Sequence, residues 1–416
     1  MNESSRKIKT IWFVVGTICC ISVLAAVWYR HTGETTGQSA KKSSAIADKK
    51  PEPPSEWNTY HGGPNLDGVA DTSIPADPSV LWRFDADAPV STTPVSCAGN
   101  IFCVTDKGHL YGLGMDGCRI WSRELVRNVK KDGSSVAEII DAPPACFDNT
   151  VLVGSADGTL YAFDGTTGKP KWTCDIGGPI LGTPNFRVDD TGKSGSVVFV
   201  ISQDDGILIC IDADSGSILW QSEGVERCDG SASVGTDSVV FGSCAAALHV
   251  FSPLDGSKRF DIEIDADSQV AGGVALVGNE AFSGSRSGKV IRADTSAGKL
   301  VWVNKDCNTE VFTTPAVAAD LIVVAASDGT IMALDRSSGK QKWTFQTDGE
   351  PGSPVIARDK VVVSSGGTLY LLNANDGTKI WSYNVSDEIS SPAVFNGMIV
   401  VGTDEGIVAA FGEPQQ

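Results

Sequence analysis

Residues 151–172 read VLVGSADGTLYAFDGTTGKPKW, and the fold follows from this stretch. A β-branched run leads into a turn at Asp157-Gly158. An alternating strand comes next, then Asp164, Thr167-Gly168 and Trp172. Alternation marks a half-buried strand, and Asp and Gly supply the turns, Asp by capping nearby amides and Gly by accepting positive φ.

The unit recurs. Aligned on Gly158, VVFVISQDDGILICIDADSGSILW ends at Trp220, AFSGSRSGKVIRADTSAGKLVW at Trp302 and LIVVAASDGTIMALDRSSGKQKW at Trp343. VVVSSGGTLYLLNANDGTKIW ends at Trp381, and the shorter IFCVTDKGHLYGLGMDGCRIW at Trp121. VVFGSCAAALHVFSPLDGSKRF is a degenerate copy with Phe260 in the tryptophan place. Each copy follows a Ser/Thr-Pro or its substitute: Thr93-Pro94, Pro143-Pro144, Thr183-Pro184, Ser231-Ala232, Gly273-Val274, Thr314-Pro315, Ser353-Pro354 and Ser391-Pro392. That makes eight starts.

The ends decide the closure. The last copy, IVVGTDEGIVAAFGEPQQ, stops before any tryptophan, and the missing strand stands at the other end as Val80-Leu81-Trp82-Arg83-Phe84. Eight starts then match eight ends: Trp82, Trp121, Trp172, Trp220, Phe260, Trp302, Trp343 and Trp381. A ring that borrows its last outer strand from the N-terminal side leaves no sheet edge at the seam, whereas a solenoid would show capping units. The expected fold is all-β, an eight-bladed β-propeller over residues 57–416 closed by an N-terminal strand.

Ahead of it, residues 11–29 (IWFVVGTICCISVLAAVWY) form an uncharged run of 19. At 1.5 Å per residue this nearly spans a bilayer core of ~30 Å. It is long for a cleaved signal, whose small-residue site would have to be Ala25-Ala26. Arg6, Lys7 and Lys9 in the tip 1–10 keep the N-terminus cytoplasmic and the propeller on the periplasmic side of a single-pass anchor. Residues 30–56 are polar and end in a proline cluster, the composition of a disordered tether.

Charge divides the chain in the same way. Residues 1–56 carry 8 Lys/Arg and 5 Asp/Glu; the remainder carries 25 and 46, a net −21. So acidic a body repels phosphate backbones, and no nucleic-acid partner is expected. Eleven cysteines cannot all pair. Cys228 with Cys244 is a candidate disulfide, while Cys103, Cys146 and Cys210 read as small buried hydrophobes.

The segment Ala162-Phe163-Asp164-x-x-Thr167-Gly168-x-x-x-Trp172, repeated around a ring, resembles the tryptophan-docking motif of pyrroloquinoline-quinone-type propellers over about residues 57–416. One branch of that family, the quinoprotein dehydrogenases, holds a quinone and calcium. The other is similar to the propeller lipoprotein of the outer-membrane barrel assembly machinery, which binds partners and does no chemistry. Trp57–Gly68 resembles the leading segment of family members built of repeats alone, and is expected to run along the propeller. The dehydrogenases carry a vicinal cysteine pair over the quinone and long lid loops. Here the only adjacent cysteines, Cys19-Cys20, lie in the membrane run, and most blades are near minimal.

Chemistry-bearing motifs are sparse. His31, His61, His109 and His249 fall at unrelated repeat positions, without the spacing of a zinc site. Asp212-x-Asp214-x-Gly216 has its glycine one place early for an EF-hand and coincides with the repeat's own turn. No catalytic residue, cofactor or metal is expected.

One pattern is positive. The connections from one blade's outer strand to the next blade's inner strand share a rim, and they are acidic: Asp85, Asp87, Asp175, Glu223, Glu226, Asp229, Asp265, Asp267, Asp306, Glu310, Asp348, Glu350, Asp387 and Glu388. The longest connection instead carries Arg123, Arg127, Lys130 and Lys131. The expectation is a monomeric, membrane-anchored scaffold that binds protein or peptide partners on this rim, with residues 123–131 as a basic arm. The alternatives are a quinone-dependent oxidoreductase and a cation or small-ligand sensor.

Overall fold

Short apolar runs separated by Asp/Gly turns pair readily with their neighbours in sequence, and seven successive antiparallel sheets result, with an eighth built from both ends of the propeller. The computed structural model describes residues 55–128, 135–188 and 195–414. The expected tip, anchor and most of the tether lie outside these residues. Among the described residues no helix is long and apolar enough to cross a membrane.

Blade 2 sets the pattern: Ala145–Phe147 innermost, then Thr150–Gly154, Thr159–Asp164 and Pro170–Asp175 outermost. Blade 8 is assembled from both ends of the chain. Ser79–Asp85 pairs antiparallel with Ile407–Gly412, which continues to Met398–Gly402 and Ala393–Phe395.

The cores lie between blades. Phe102, Leu110 and Trp121 of blade 1 pack with Val151, Val153, Tyr161 and Phe163 of blade 2. The repeating tryptophan closes each boundary. Trp82, Trp121, Trp172, Trp302 and Trp343 each donate the indole N–H to a carbonyl in the next blade: Met115, Gly165, Ala213, Arg336 and Ala374, at 2.8–3.1 Å. The ring lies flat on the glycine of that blade's last turn. Beneath Trp121 this is Gly168, at φ +64°, where an added Cβ would come within 2.5 Å of the indole. The Thr-Gly of one copy and the Trp of the copy before it are therefore halves of one contact.

Blade 4 breaks the pattern. Phe260 covers Gly298 but has no N–H for the matching carbonyl, that of Thr295. Beside it lies a groove of about 560 Å³ lined by Phe260, Arg259, Asp237, Ser238, Asn279, Thr295 and Ser296. Phe260→Trp is expected to fill part of this groove and restore the bond, adding about 1 kcal/mol. A urea titration reads the gain directly; a lower midpoint would mean that Lys258–Glu263 does not hold the shared register.

The leading segment does not run along the propeller, as its sequence suggests, but crosses the axis. The carbonyls of Trp57, Asn58, Pro64, Asn65, Asp67 and Gly68 accept the backbone N–H of Ser96, Cys146, Val234, Leu276, Val317 and Ile356, in blades 1, 2, 4, 5, 6 and 7. Asn185 of blade 3 donates its side-chain amide to Pro64 at 2.7 Å, and Gly397 of blade 8 donates its N–H to Thr72 Oγ1 at 2.8 Å. Val69–Ala70 then adds a parallel strand to the inner edge of blade 7. Inner strands present unpaired amides towards the axis, and this segment satisfies them.

Candidate functional site: the acidic rim and its hairpin

Two turn types alternate along each blade, so each rim collects its own set. On one rim, the turn between the second and third strands is tied to the incoming connection by the same backbone bond in all eight blades. The donors are Asp106, Ala156, Gln203, Cys244, Arg286, Ser327, Gly366 and Asp404; the acceptors are Pro89, Ile139, Pro179, Arg227, Gln269, Glu310, Glu350 and Glu388, at 2.9–3.2 Å. The expected acidic residues all stand on this rim.

The turns add a second acidic series that the sequence reading missed: Asp106, Asp157, Asp204, Asp205, Asp328, Asp404 and Glu405. The Asp-Gly turns of blades 2, 3 and 6 and their relatives in blades 1 and 8 carry it, and it was legible only as turn chemistry. The rim acids are not equivalent. Asp85, Glu226, Asp348 and Glu350 are exposed. Asp87 accepts the Tyr111 hydroxyl at 2.7 Å and pairs with His109; partial burial opposes its ionisation, but these two partners outweigh it and its pKa is lowered. Burial likewise works against Asp229, and Arg227, Gln203 and Arg286 together hold its carboxyl below the usual range.

The expected basic arm is a β-hairpin at its root, Val126–Asn128 against Ser135–Ala137. Lys130 and Lys131 lie outside the described residues. Arg127 pairs with Asp157 in the neighbouring turn at 2.5 Å. Arg123 points the other way, its Nε donating to the Gly168 carbonyl at 2.6 Å, and braces blade 1 against blade 2. Neither arginine is a free cation. What the hairpin does expose is aliphatic: Val126, Val136 and, at its base, Ile139 at 58%.

The axial channel holds the leading segment. His61 is fully buried, with Nδ1 and Nε2 each 2.9 Å from a carbonyl, those of Leu66 and Pro354. Burial lowers its pKa, while the two carbonyls and Asp67 favour the charged form. Tyr60 reaches the ring of Ser/Thr hydroxyls at the blade starts, bonding Thr314, and burial pushes its pKa up to about 12. Thr183, Thr314 and Ser353 in that ring donate their N–H to Ser231, Ser353 and Ser391 of the next blade, at 2.9–3.0 Å. Gly273 stands in the ring where a Cβ would come within 2.2 Å of the Tyr60 hydroxyl. Tyr60 and His61 thus occupy the axis. Among the described residues no group of three or more His, Cys, Asp or Glu could hold a metal ion.

Ser243, His249 and Asp261 form a hydroxyl–imidazole–carboxylate relay, 2.7 Å at each step. Catalytic relays need an approachable hydroxyl. Ser243 is fully buried and its Oγ accepts the Ala245 N–H at 3.0 Å, so the relay fastens the blade 4 turn. Burial lowers the pKa of His249, and Asp261 opposes that shift. Asp212 caps Ser215 through both N–H and hydroxyl, turn chemistry as its spacing suggests.

The sequence profile of the family described as outer membrane protein assembly factor BamB matches residues 115–271, 265–390 and 348–413. The chain is 25% identical to the factor of that name from Burkholderia pseudomallei, over 67% of this chain and 72% of that one. It is 23% identical to the one from Yersinia pestis, over 54% of this chain and 60% of the relative, so it spans under two thirds of the latter. In structure it is similar to BamB from Moraxella catarrhalis, with a TM-score of 0.66, 19% identity and coverage of 82% of this chain and 98% of that one. It is also similar to the quinohemoprotein alcohol dehydrogenase from Comamonas testosteroni, with a TM-score of 0.68, 13% identity and coverage of 87% and 81%.

Proposed function

Because the chain belongs to the family described as outer membrane protein assembly factor BamB, we propose that it is a membrane-associated periplasmic scaffold. It binds protein partners in outer-membrane protein assembly, uses neither quinone nor metal, and does no chemistry of its own. Its anchor is the apolar run 11–29, with the N-terminus cytoplasmic.

The observation that carries this reading is the hairpin on the acidic rim. Exposed aliphatic side chains beside ordered carboxylates are the ingredients of a protein interface, an apolar contact rimmed by charge. The carboxylates favour a partner with a basic surface, and they raise its association rate more than its final affinity. The opposite rim is where the leading segment begins: Ser55 N–H donates to Asn396 Oδ1 at 2.8 Å, on the first turn of blade 8.

A photo-crosslinking residue at Ile139 or Glu388 is expected to trap an envelope protein in intact cells. The same residue at Leu254, exposed on the opposite rim, is the control. Capture should weaken as salt rises, since exposed charges are screened within about 8 Å at physiological ionic strength. Equal trapping from Leu254, or none from Ile139 and Glu388, would remove the rim from consideration.

A further inference from the structure

We propose that Cys228 and Cys244 form a disulfide that fastens the incoming connection of blade 4 to its rim turn. Cys244 donates its N–H to the carbonyl of Arg227 at 2.9 Å, the bond that every blade uses at this place. In blades 7 and 8 the same bond belongs to an antiparallel pair, Pro351 with Ser365 and Ile389 with Thr403, and by equivalence Cys228 stands across from Ser243 and one step diagonal to Cys244. Cα atoms so placed are about 6 Å apart, inside the roughly 4.4–6.8 Å that disulfides span. The Cys228 backbone is held from the other side by the Gln203 carbonyl at 3.0 Å. Its thiol donates to the Glu226 carbonyl at 3.2 Å. Both cysteines are free here.

Blade 4 is where such a link is needed. It has Phe260 for tryptophan, Ala232 for proline, and Ala246 at φ +58° where Gly158 and its counterparts Gly206, Gly288 and Gly329 turn the other blades. A cross-link here restrains the unfolded chain just where the folded repeat is least reinforced.

The order of events follows from exposure. Cys228 is 2% exposed, and burial raises its pKa, with Cys244, Asp229 and Glu226 adding to the effect. Cys244 is partly exposed. Its thiolate attacks the disulfide of an oxidant, a small disulfide such as oxidised glutathione or a thiol–disulfide oxidoreductase, and displaces one of its sulfurs as thiolate. Cys228 then loses its proton and attacks the Cys244 sulfur of the mixed disulfide, releasing the second. The two cysteines give up two protons and two electrons, and the oxidant's disulfide becomes two thiols.

The full chain in detergent is equilibrated with glutathione at set redox ratios, quenched with acid, alkylated with N-ethylmaleimide in denaturant, digested and mass-measured. The expected product joins the Cys228 and Cys244 peptides, two hydrogens lighter than their sum and absent after dithiothreitol. Reduction should lower the unfolding midpoint by several degrees in the parent and leave Cys244→Ser unmoved. Alkylation of both cysteines at the most oxidising ratio would overturn the proposal. So would a cross-link confined to Cys97 and Cys146, or an equal redox shift in Cys244→Ser.

Discussion

Trp57→Ala is expected to destabilise the propeller by about 3–5 kcal/mol, the range for removing a buried tryptophan. The residue lies outside every repeat, yet it is 1% exposed and the largest fully buried side chain among the described residues. It packs in the core that joins blades 7, 8 and 1, with Ile74, Ile101, Val394 and Phe395. Its backbone exchanges two bonds with Ser96 in the inner strand of blade 1, at 2.8 and 2.9 Å. Loss of the ring therefore leaves a cavity and loosens the start of the segment that crosses the axis. Trp220→Ala is the comparison, a repeat tryptophan that is only partly buried, and should cost clearly less. Urea midpoints for the two variants decide it. A Trp57→Ala protein as stable as Trp220→Ala would mean that the leading segment contributes little to holding the ring.

Gly273→Ala should destabilise by about 1–3 kcal/mol, the cost of overpacking a filled interior, although it moves the residue closer to the repeat's own preference. Its new Cβ would lie within 2.2 Å of the Tyr60 hydroxyl and 2.4 Å of Thr314 Oγ1. The threonine can rotate, but the phenol cannot, since its ring is fixed along the axis and its hydroxyl bonds Thr314. Tyr60→Phe removes the obstructing oxygen, so the double variant should recover part of the loss. The cycle of two single variants and one double variant isolates that coupling. Additive effects would show that Gly273 departs from Ser/Thr for a reason other than Tyr60.

Trp82, Trp172 and their equivalents could be read from the chain because local repetition writes the same chemistry many times. Spacing fixes register, and a count of ends fixes closure. The same logic could not reach Tyr60 or His61. Each occurs once, and its partners, Thr314 and Pro354, lie more than 250 residues away. Gly273 reads in the sequence as a substitute for the Ser/Thr of the mark, and its missing side chain leaves room for the Tyr60 hydroxyl. The acidic rim was half legible: the connections were seen, but the Asp-Gly turns had already been explained by φ, which concealed that their carboxylates face the same way. Arg123 and Arg127 were grouped by proximity in sequence. They stand on different strands, Arg119–Glu124 and Val126–Asn128, and reach different turns of blade 2, at Gly168 and Asp157, a distinction that charge counting does not make.

The residues that span the axis and complete blade 8 are the first of the propeller to be synthesised, and the partners that close the ring are the last. Val69–Ala70 waits for Val355–Ala357, and Ser79–Asp85 waits for Ile407–Gly412. Pairing across so long a separation is slow, because loop closure must precede any reward. Blades emerging in order can join the leading segment one at a time, but the seam is missing until the C-terminal strands are made. Closure of the ring then waits for the last blade, unlike a solenoid that grows from any point. A ring that cannot lock before its eighth blade appears stays open while the other seven are made.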